Sequence, residues 1–264
     1  MKFKDKVIWV TGAASGIGEA LAYQAVKYGA KIILSDIDEA KLMVVAEECS
    51  RRGASVLILP LDLANRESIE KAVPEALEKF GTIDVLINNG GISQRAYTWE
   101  TPLDVDYRIM NINYFGAVIL TKALLPGMIE KGGGYIAATS SITGKFGFPL
   151  RSAYSASKHA LHGFFETLGI ELADKNISVT IAMPGRVKTN ISVHALTRDG
   201  TEHGKMDPGQ AVGITADLCA KKYLDAIHKR KREVLIGGRE LIMAHIRRFS
   251  PFLFFKFVHK VDQA

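Results

Sequence analysis

The stretch Tyr154-Ser155-Ala156-Ser157-Lys158 sets a phenol and an ammonium four residues apart, a spacing that places both on one face of a helix. Such a pair can make tyrosine a working acid and base. A free tyrosine titrates near pH 10, so proton transfer close to neutrality needs roughly 4 kcal/mol of help for the phenolate. One lysine charge about 5 Å away supplies about 3 kcal/mol at an effective dielectric of about 20, and a second positive charge nearby would complete the shift. Spacing alone does not assign the chemistry, because Tyr23-Gln24-Ala25-Val26-Lys27 repeats it. What surrounds each copy has to decide.

The elements that would position these residues follow from hydrophobic patterning. Val7-Ile8-Trp9-Val10 is a continuous apolar run, as expected of a strand buried on both faces, and Thr11-Gly12-Ala13-Ala14-Ser15-Gly16-Ile17-Gly18 follows at once. Helical spacing over Ala20, Leu21, Ala25 and Val26, a stop at Gly29 and a second strand over Lys31-Ile32-Ile33-Leu34-Ser35 complete one βαβ unit. The alternation predicts helices near 38–52, 65–79, 104–130 and 152–173. It predicts further strands at Val56–Leu59, Ile83–Ile87, Tyr135–Thr139, Ser178–Met183 and Glu233–Ile236. Such a series implies an α/β fold: a doubly wound parallel sheet of about seven strands with helices on both faces. One domain over 1–264 accounts for the chain. The irregular stretch of about 190–215 reads as a lid or substrate loop, since loops of that length are usually functional.

Composition narrows the function classes. With 47% hydrophobic and 23% charged residues the chain is an ordinary globular protein. Its net charge of +6 suits anionic partners such as nucleotide phosphates or membrane surfaces. No dense basic and aromatic stripe points to nucleic acid. Cys49 and Cys219 have neither metal spacing nor a Cys-x-x-Cys arrangement, which fits a reducing compartment. Met1-Lys2-Phe3-Lys4-Asp5-Lys6 runs directly into the first strand, so the expectation is a cytoplasmic protein without a signal peptide or leading anchor.

Glycines at 12, 16 and 18 allow a tight turn after the first strand and close approach of a pyrophosphate to free amides at a helix N-terminus. The pattern is Gly-x-x-x-Gly-x-Gly; Leu21 stands where a Gly-x-Gly-x-x-Gly motif would have its last glycine. Asp36 ends the second strand, where a carboxylate can accept hydrogen bonds from a ribose and repel a 2′-phosphate. Its neighbours Ser35 and Ile37 bring no compensating charge, which favours NAD over NADP. The oxidised nicotinamide ring would then be the second positive charge beside Tyr154.

With these motifs in place, the chain resembles the short-chain dehydrogenase/reductase family from about Lys6 to Gly237, in its single-domain branch. Thr11 through Gly18 is similar to the family's Thr-Gly-x-x-x-Gly-x-Gly turn, and Asp62 matches the aspartate that meets the adenine, with Leu63 beside it. Asn88-Asn89-Gly90-Gly91 resembles the family's Asn-Asn-Ala-Gly segment, with Gly90 in place of alanine. Pro184-Gly185-Arg186-Val187-Lys188-Thr189 resembles the segment that holds the nicotinamide carboxamide. The cofactor site implied by the resemblance comprises Gly12, Ser15, Gly16, Ile17, Gly18, Asp36, Asp62, Leu63, Asn88, Asn89, Gly90, Tyr154, Lys158, Pro184, Gly185, Val187 and Thr189. The implied catalytic set is Asn113, Ser141, Tyr154 and Lys158. Ser141, thirteen residues before Tyr154, is preferred to Ser140, and Asn113 to Asn111. In this set Tyr154 moves the proton and Ser141 orients the substrate oxygen. Lys158 lowers the tyrosine's proton affinity and binds the ribose, while Asn113 holds a water that links the lysine to solvent. Taken singly, Asn88 and Asn89 could be turn formers, Asn113 a satisfied buried amide, Ser141 a loop hydroxyl and Thr189 a helix cap. Their joint order along the chain is what those readings leave unexplained.

The implied activity is NAD-dependent interconversion of a secondary alcohol and a carbonyl on a lipophilic substrate, by a homodimer or homotetramer. The alternatives weighed are a cofactor-binding sensor of the same fold and a sugar-nucleotide epimerase; the latter would need a larger C-terminal domain. No metal is implied. His159 and His162 lack His-Glu-x-x-His spacing, and His194 and His203 lie in the 190–215 loop without carboxylate or cysteine partners. The 238–264 extension carries five phenylalanines between Phe249 and Phe257, with Arg247, Arg248, Lys256 and Lys260 nearby. Such a segment can pack on a partner subunit, form the lip of a lipophilic pocket or contact a membrane surface. It is similar to the tails of hydroxysteroid-dehydrogenase-like members of the family.

Overall fold

The computed structural model describes residues 2–258. Strands and helices alternate as the patterning requires. In order they are β1 (Val7–Thr11), α1 (Gly16–Lys27), β2 (Lys31–Ser35), α2 (Glu39–Arg51), β3 (Val56–Ile58), α3 (Arg66–Phe80) and β4 (Val85–Asn88). There follow α4 (Leu103–Met110), α5 (Gly116–Glu130), β5 (Gly134–Thr139), α6 (Ser152–Glu171) and β6 (Ile177–Pro184). The last elements are α7 (Pro208–Ala211), α8 (Ala216–His228), β7 (Glu233–Ile236), α9 (Ile242–Phe249) and α10 (Pro251–Val258).

The seven strands form one parallel sheet in the order β3-β2-β1-β4-β5-β6-β7. Ile8 pairs with Ile32 on one side and with Val85 on the other, so β1 lies at the point where the strand order reverses. Loops leaving the carboxyl ends of β1 and β4 therefore flank a crevice, the place where sheets of this kind bind ligands. Alternate residues of each strand feed two cores. Ile8, Val10, Ile32 and Leu34 pack beneath α1, α2 and α8, while Trp9, Ile33, Leu86 and Ile136 pack beneath α3, α5 and α6. Trp9 is fully buried and its indole N–H donates to Ser35 Oγ at 2.9 Å, so the ring is enclosed without an orphaned donor.

The structure adds to three sequence expectations. The helix expected over 104–130 is interrupted between α4 and α5 by a π-helical turn at Asn111–Phe115. This run is long and apolar enough to cross a membrane by composition, yet Ala117, Leu120, Leu124 and Met128 within it are buried on the sheet. The 190–215 stretch is pinned rather than free: Leu196 pairs with Gln94, Leu196 N–H donates to the Ser93 carbonyl at 2.9 Å, and Ser192, Ala195 and Leu196 are buried. The C-terminal extension folds as α9 and α10. Phe254 and Val258 are buried with Phe146 and Ala244, whereas Phe249 and Phe252 are each nearly four-fifths exposed (78% and 79%). Lys260 lies outside the described residues.

Candidate active site

The crevice is a cavity of about 610 Å³. Its floor is made by two loops that touch. Gly12 has φ +64°, and a Cβ there would stand 2.6 Å from the Gly90 Cα, so no larger residue lets the loops after β1 and β4 meet. Thr11 fastens them, its Oγ1 accepting from the amides of Asn89 and Gly90, each at 3.0 Å. At position 90 a Cβ would lie 2.5 Å from Leu63 Cδ1, so Leu63 occupies the volume that an alanine methyl would need.

At one end the cavity meets the N-terminus of α1, where the Ser15 side chain makes no capping hydrogen bond and the first amides have no helical partner. Ser15, Gly16 and Ile17 line this end. Asp36, Asp62 and Leu63 line the wall beside it. Asp36 accepts from the Ala14 and Asp38 amides, each at 3.1 Å, which holds its carboxylate against the glycine turn, and Asp62 Oδ1 accepts from the Ala64 amide at 2.8 Å. Lys41, which sequence reasoning passed over, also lines this wall. Its ammonium is engaged by Asp38 Oδ2 at 2.7 Å, and that hydrogen bond raises its proton affinity above the ordinary lysine value. A free helix N-terminus followed by a carboxylate at the end of the second strand fits the phosphates and ribose of a dinucleotide.

The other end carries the tyrosine and lysine. Tyr154 and Lys158 lie on the buried face of α6, near its start. Lys158 Nζ donates to the Thr139 carbonyl at 2.8 Å and stands 5.6 Å from the centroid of the Tyr154 ring; burial pushes this ammonium down to about 8. Ser141 follows β5, accepts from the Thr143 amide at 3.2 Å, donates to the Pro184 carbonyl at 3.5 Å and acts to lower the proton affinity of the Tyr154 phenol. Ser140 is spent differently, donating to the Lys158 carbonyl at 3.0 Å. The phenol does not have the lowered proton affinity that the sequence suggested. Burial raises it, and what pulls against burial is the Ser141 hydrogen bond and the charges of Arg95 and Arg151. The sequence reading gave that counter-charge to Lys158, whose own charged form is weakened by the same burial.

Pro184, Gly185, Val187 and Thr189 line the wall opposite. Gln210, another residue not anticipated, donates to the Val187 carbonyl at 2.6 Å and to Thr189 Oγ1 at 3.1 Å, and so fixes this segment. Ile142, Phe146, Phe148 and Met243 add an apolar lip, Met243 coming from α9.

Three expected residues support the cavity without lining it. Gly18 lies inside α1. Asn88 donates to Thr121 Oγ1 at 2.9 Å, facing α5. Asn113 sits in the π turn with its amide committed, accepting from Ile92 N–H at 2.8 Å and donating to the Ile92 carbonyl at 2.9 Å and Ser157 Oγ at 3.0 Å. Any water it holds would therefore have to use the second lone pair of Oδ1 or the backbone carbonyl. His194, expected to lack a carboxylate, lies 2.9 Å from Glu202. His162, Glu166 and Glu233 bring three ligand-type atoms within 4.8 Å, but Lys145 Nζ sits 2.5 Å from Glu233 and supplies the positive charge there.

Known proteins share both the sequence and the shape. The profile of the short chain dehydrogenase family matches residues 6–199. The chain is 44% identical over 258 residues to dehydrogenase/reductase SDR family member 7B of Mus musculus, covering 96% of this chain and 80% of that one. It is 40% identical over 256 residues to the SDR family protein 7-like of Drosophila melanogaster, covering 95% and 78% respectively. Among solved structures, a short chain dehydrogenase/reductase from Burkholderia phymatum in complex with NAD superposes with a TM-score of 0.85 at 25% identity, covering 96% of both chains.

Proposed function

The chain belongs to the short-chain dehydrogenase/reductase family of oxidoreductases, and from that premise we propose that it interconverts a secondary alcohol and a carbonyl on a small lipophilic substrate, with NAD as cofactor and Tyr154 as the proton-transferring group. One observation carries the reading: Tyr154, Ser141 and Lys158 converge on the cavity whose far end is the glycine turn and Asp36. When bound, a nicotinamide dinucleotide supplies the hydride chemistry. Gly12, Ser15, Gly16 and Ile17 would hold its phosphates, Asp36, Asp62 and Leu63 its adenosine, and Pro184, Gly185, Val187 and Thr189 its nicotinamide. Asp36 favours NAD, because its carboxylate would repel a 2′-phosphate and Lys41 is already engaged by Asp38.

In the oxidative direction the Tyr154 phenolate takes the proton of the substrate hydroxyl, and in the reductive direction the phenol returns it. Ser141 orients the substrate oxygen through the hydroxyl that also meets the phenol. Lys158 sits one helical turn behind and stabilises the phenolate when protonated. Ile142, Phe146, Phe148 and Met243 support an apolar substrate body. A cofactor-linked screen across aliphatic secondary alcohols, steroids, retinoids and acyl carbonyls tests the reading. It should give turnover with an apolar member and tighter binding of NADH than of NADPH; turnover restricted to small polar alcohols would overturn the substrate class.

Exposed Phe249 and Phe252, with Arg247, Arg248 and Lys256 beside them, support contact of the tail with an anionic membrane surface close to the lip. The protein should sediment with phosphatidylserine vesicles and not with phosphatidylcholine vesicles, and Phe249→Ser/Phe252→Ser should abolish the difference. Exposed Leu103, Tyr107 and Phe115 support a homodimer or homotetramer, which sedimentation velocity would read directly.

A further inference from the structure

On the substrate side of the cavity, three charged side chains are buried together. Arg95, in the segment after β4, holds Asp207 through Nη2 at 2.6 Å from Oδ2 and through Nε at 3.2 Å from each carboxylate oxygen. Its Nη1 donates to Ser93 Oγ at 2.9 Å and to the Gln94 carbonyl at 2.5 Å. Arg151 precedes Tyr154 by three residues, at the N-cap of α6. Its Nη2 reaches the same Asp207 oxygen at 2.8 Å, its Nη1 donates to the Pro149 carbonyl at 3.1 Å, and its guanidinium stacks over Phe148 at 4.8 Å. The side chains of Arg95, Asp207 and Arg151 are only 5%, 11% and 15% exposed, and all three residues line the cavity with Tyr154.

The charge count is uneven. Two guanidiniums share one carboxylate, which leaves one positive charge uncompensated in a place where burying it is costly. The cost is visible on its members. Burial and the neighbouring Arg95 push the Arg151 guanidinium down to about 10, while Asp207 and Tyr154 act in the opposite sense. Burial alone would raise the Asp207 carboxyl, but Arg95 and Arg151 hold it below the usual range. The groups acting on the phenol are the Ser141 hydroxyl after β5, Arg95 after β4 and Arg151 at the N-cap of α6, with Lys158 Nζ 5.6 Å from its ring centroid; Asp207 acts through the two guanidiniums it binds. Arg108, His194 and Glu202 also line the cavity.

We propose that Arg95 and Arg151, balanced by the single carboxylate of Asp207, are positioning residues that keep one uncompensated positive charge beside Tyr154 and so set the pH at which the phenol exchanges its proton. The proposal rests on the reading of Tyr154 as the proton-transferring group. It gives the cluster a second task besides clamping the 190–215 stretch to the start of α6.

The test is the pH profile of kcat/KM for alcohol oxidation in four proteins. Arg151→Gln reduces the net charge of the cluster from +1 to 0 and should move the acid-limb midpoint up by about one pH unit. Asp207→Asn increases it to +2 and should move the midpoint down by about as much. The double variant Arg151→Gln/Asp207→Asn restores +1 and should return the midpoint to that of the wild type, even where activity is lower. A clamp that is merely structural would lower activity in both single variants and leave the midpoint in place; equal midpoints throughout overturn the proposal. Should Asp207→Asn fail to fold, Arg151→Gln and the double variant still make different predictions, an upward shift for the first and the wild-type midpoint for the second. Tyr154→Phe separates the two claims: if it is inactive while the midpoints of the others coincide, only the charge cluster fails, and if it is fully active, the reading of Tyr154 fails first.

Discussion

Tyr23 and Lys27 on α1 have the same spacing as Tyr154 and Lys158 on α6, and burial raises the proton affinity of both phenols; what differs is whether the neighbouring charges add to burial or oppose it. Tyr23 is half-buried under the Arg52 guanidinium at 4.4 Å, and Lys27 is exposed. Burial and the nearby carboxylate of Glu19 push the Tyr23 phenol up to about 12, with Glu48 acting in the same direction. Around Tyr154 the nearby charges are guanidiniums, a serine hydroxyl reaches the phenol, and the lysine is anchored by the carbonyl of the last residue of β5. Burial, reinforced by carboxylates, thus holds the first phenol protonated. At the second, Ser141 and two guanidiniums oppose burial without overcoming it. A four-residue spacing brings the side chains together, and the tertiary environment decides whether they can work.

Removing each hydroxyl in turn separates the two tyrosines. Tyr154→Phe should lower turnover by about 10³-fold or more, within the range for loss of a general acid or base. Lys158→Met should cost less, about 10²-fold in turnover, and it also reports on burial. The folded-state value of Lys158 is about 8, below the roughly 10.4 of an unfolded lysine, so the charged form costs stability below pH 8 and that cost fades as pH rises toward 10.5. Lys158→Met should therefore raise the melting temperature at pH 7 by about 3 °C or more, and the gain should shrink by pH 10. A destabilised variant at pH 7 would mean that the Thr139 hydrogen bond outweighs the burial cost. The smallest effect belongs to the earlier copy. Tyr23→Phe should leave kcat/KM within about twofold of the wild type.

Much of the cofactor end was legible in the sequence because its signals are local. A buried strand, a glycine turn, a carboxylate at the next strand's end and a tyrosine–lysine pair each fall within a few residues, and each imposes one backbone conformation or one helical face. The substrate end was not legible. Arg95, Arg151 and Asp207 come from three different segments, and only the packing of the stretch after β6 against the segment after β4 brings them together. The same packing explains why 190–215 reads only as a lid or substrate loop in the sequence: its anchors are single residues, such as Leu196 and Asp207, with no periodicity to reveal them. The π turn at Asn111–Phe115 was equally hidden, since the run that follows it is apolar on nearly every side and offers no polar face against which a one-residue change of helical register would show. Gln210 and Lys41 act through partners that local spacing does not identify as part of the cavity.

Tyr154 must move the proton in a site that binds the cofactor without its help. The most direct measurement is NADH binding and substrate turnover in the same preparation of Tyr154→Phe. We expect a Kd within about threefold of the wild type, because a single hydroxyl is removed from a long binding surface, together with loss of turnover by about 10³-fold or more. Turnover close to that of the wild type, with NADH bound normally, would contradict the account.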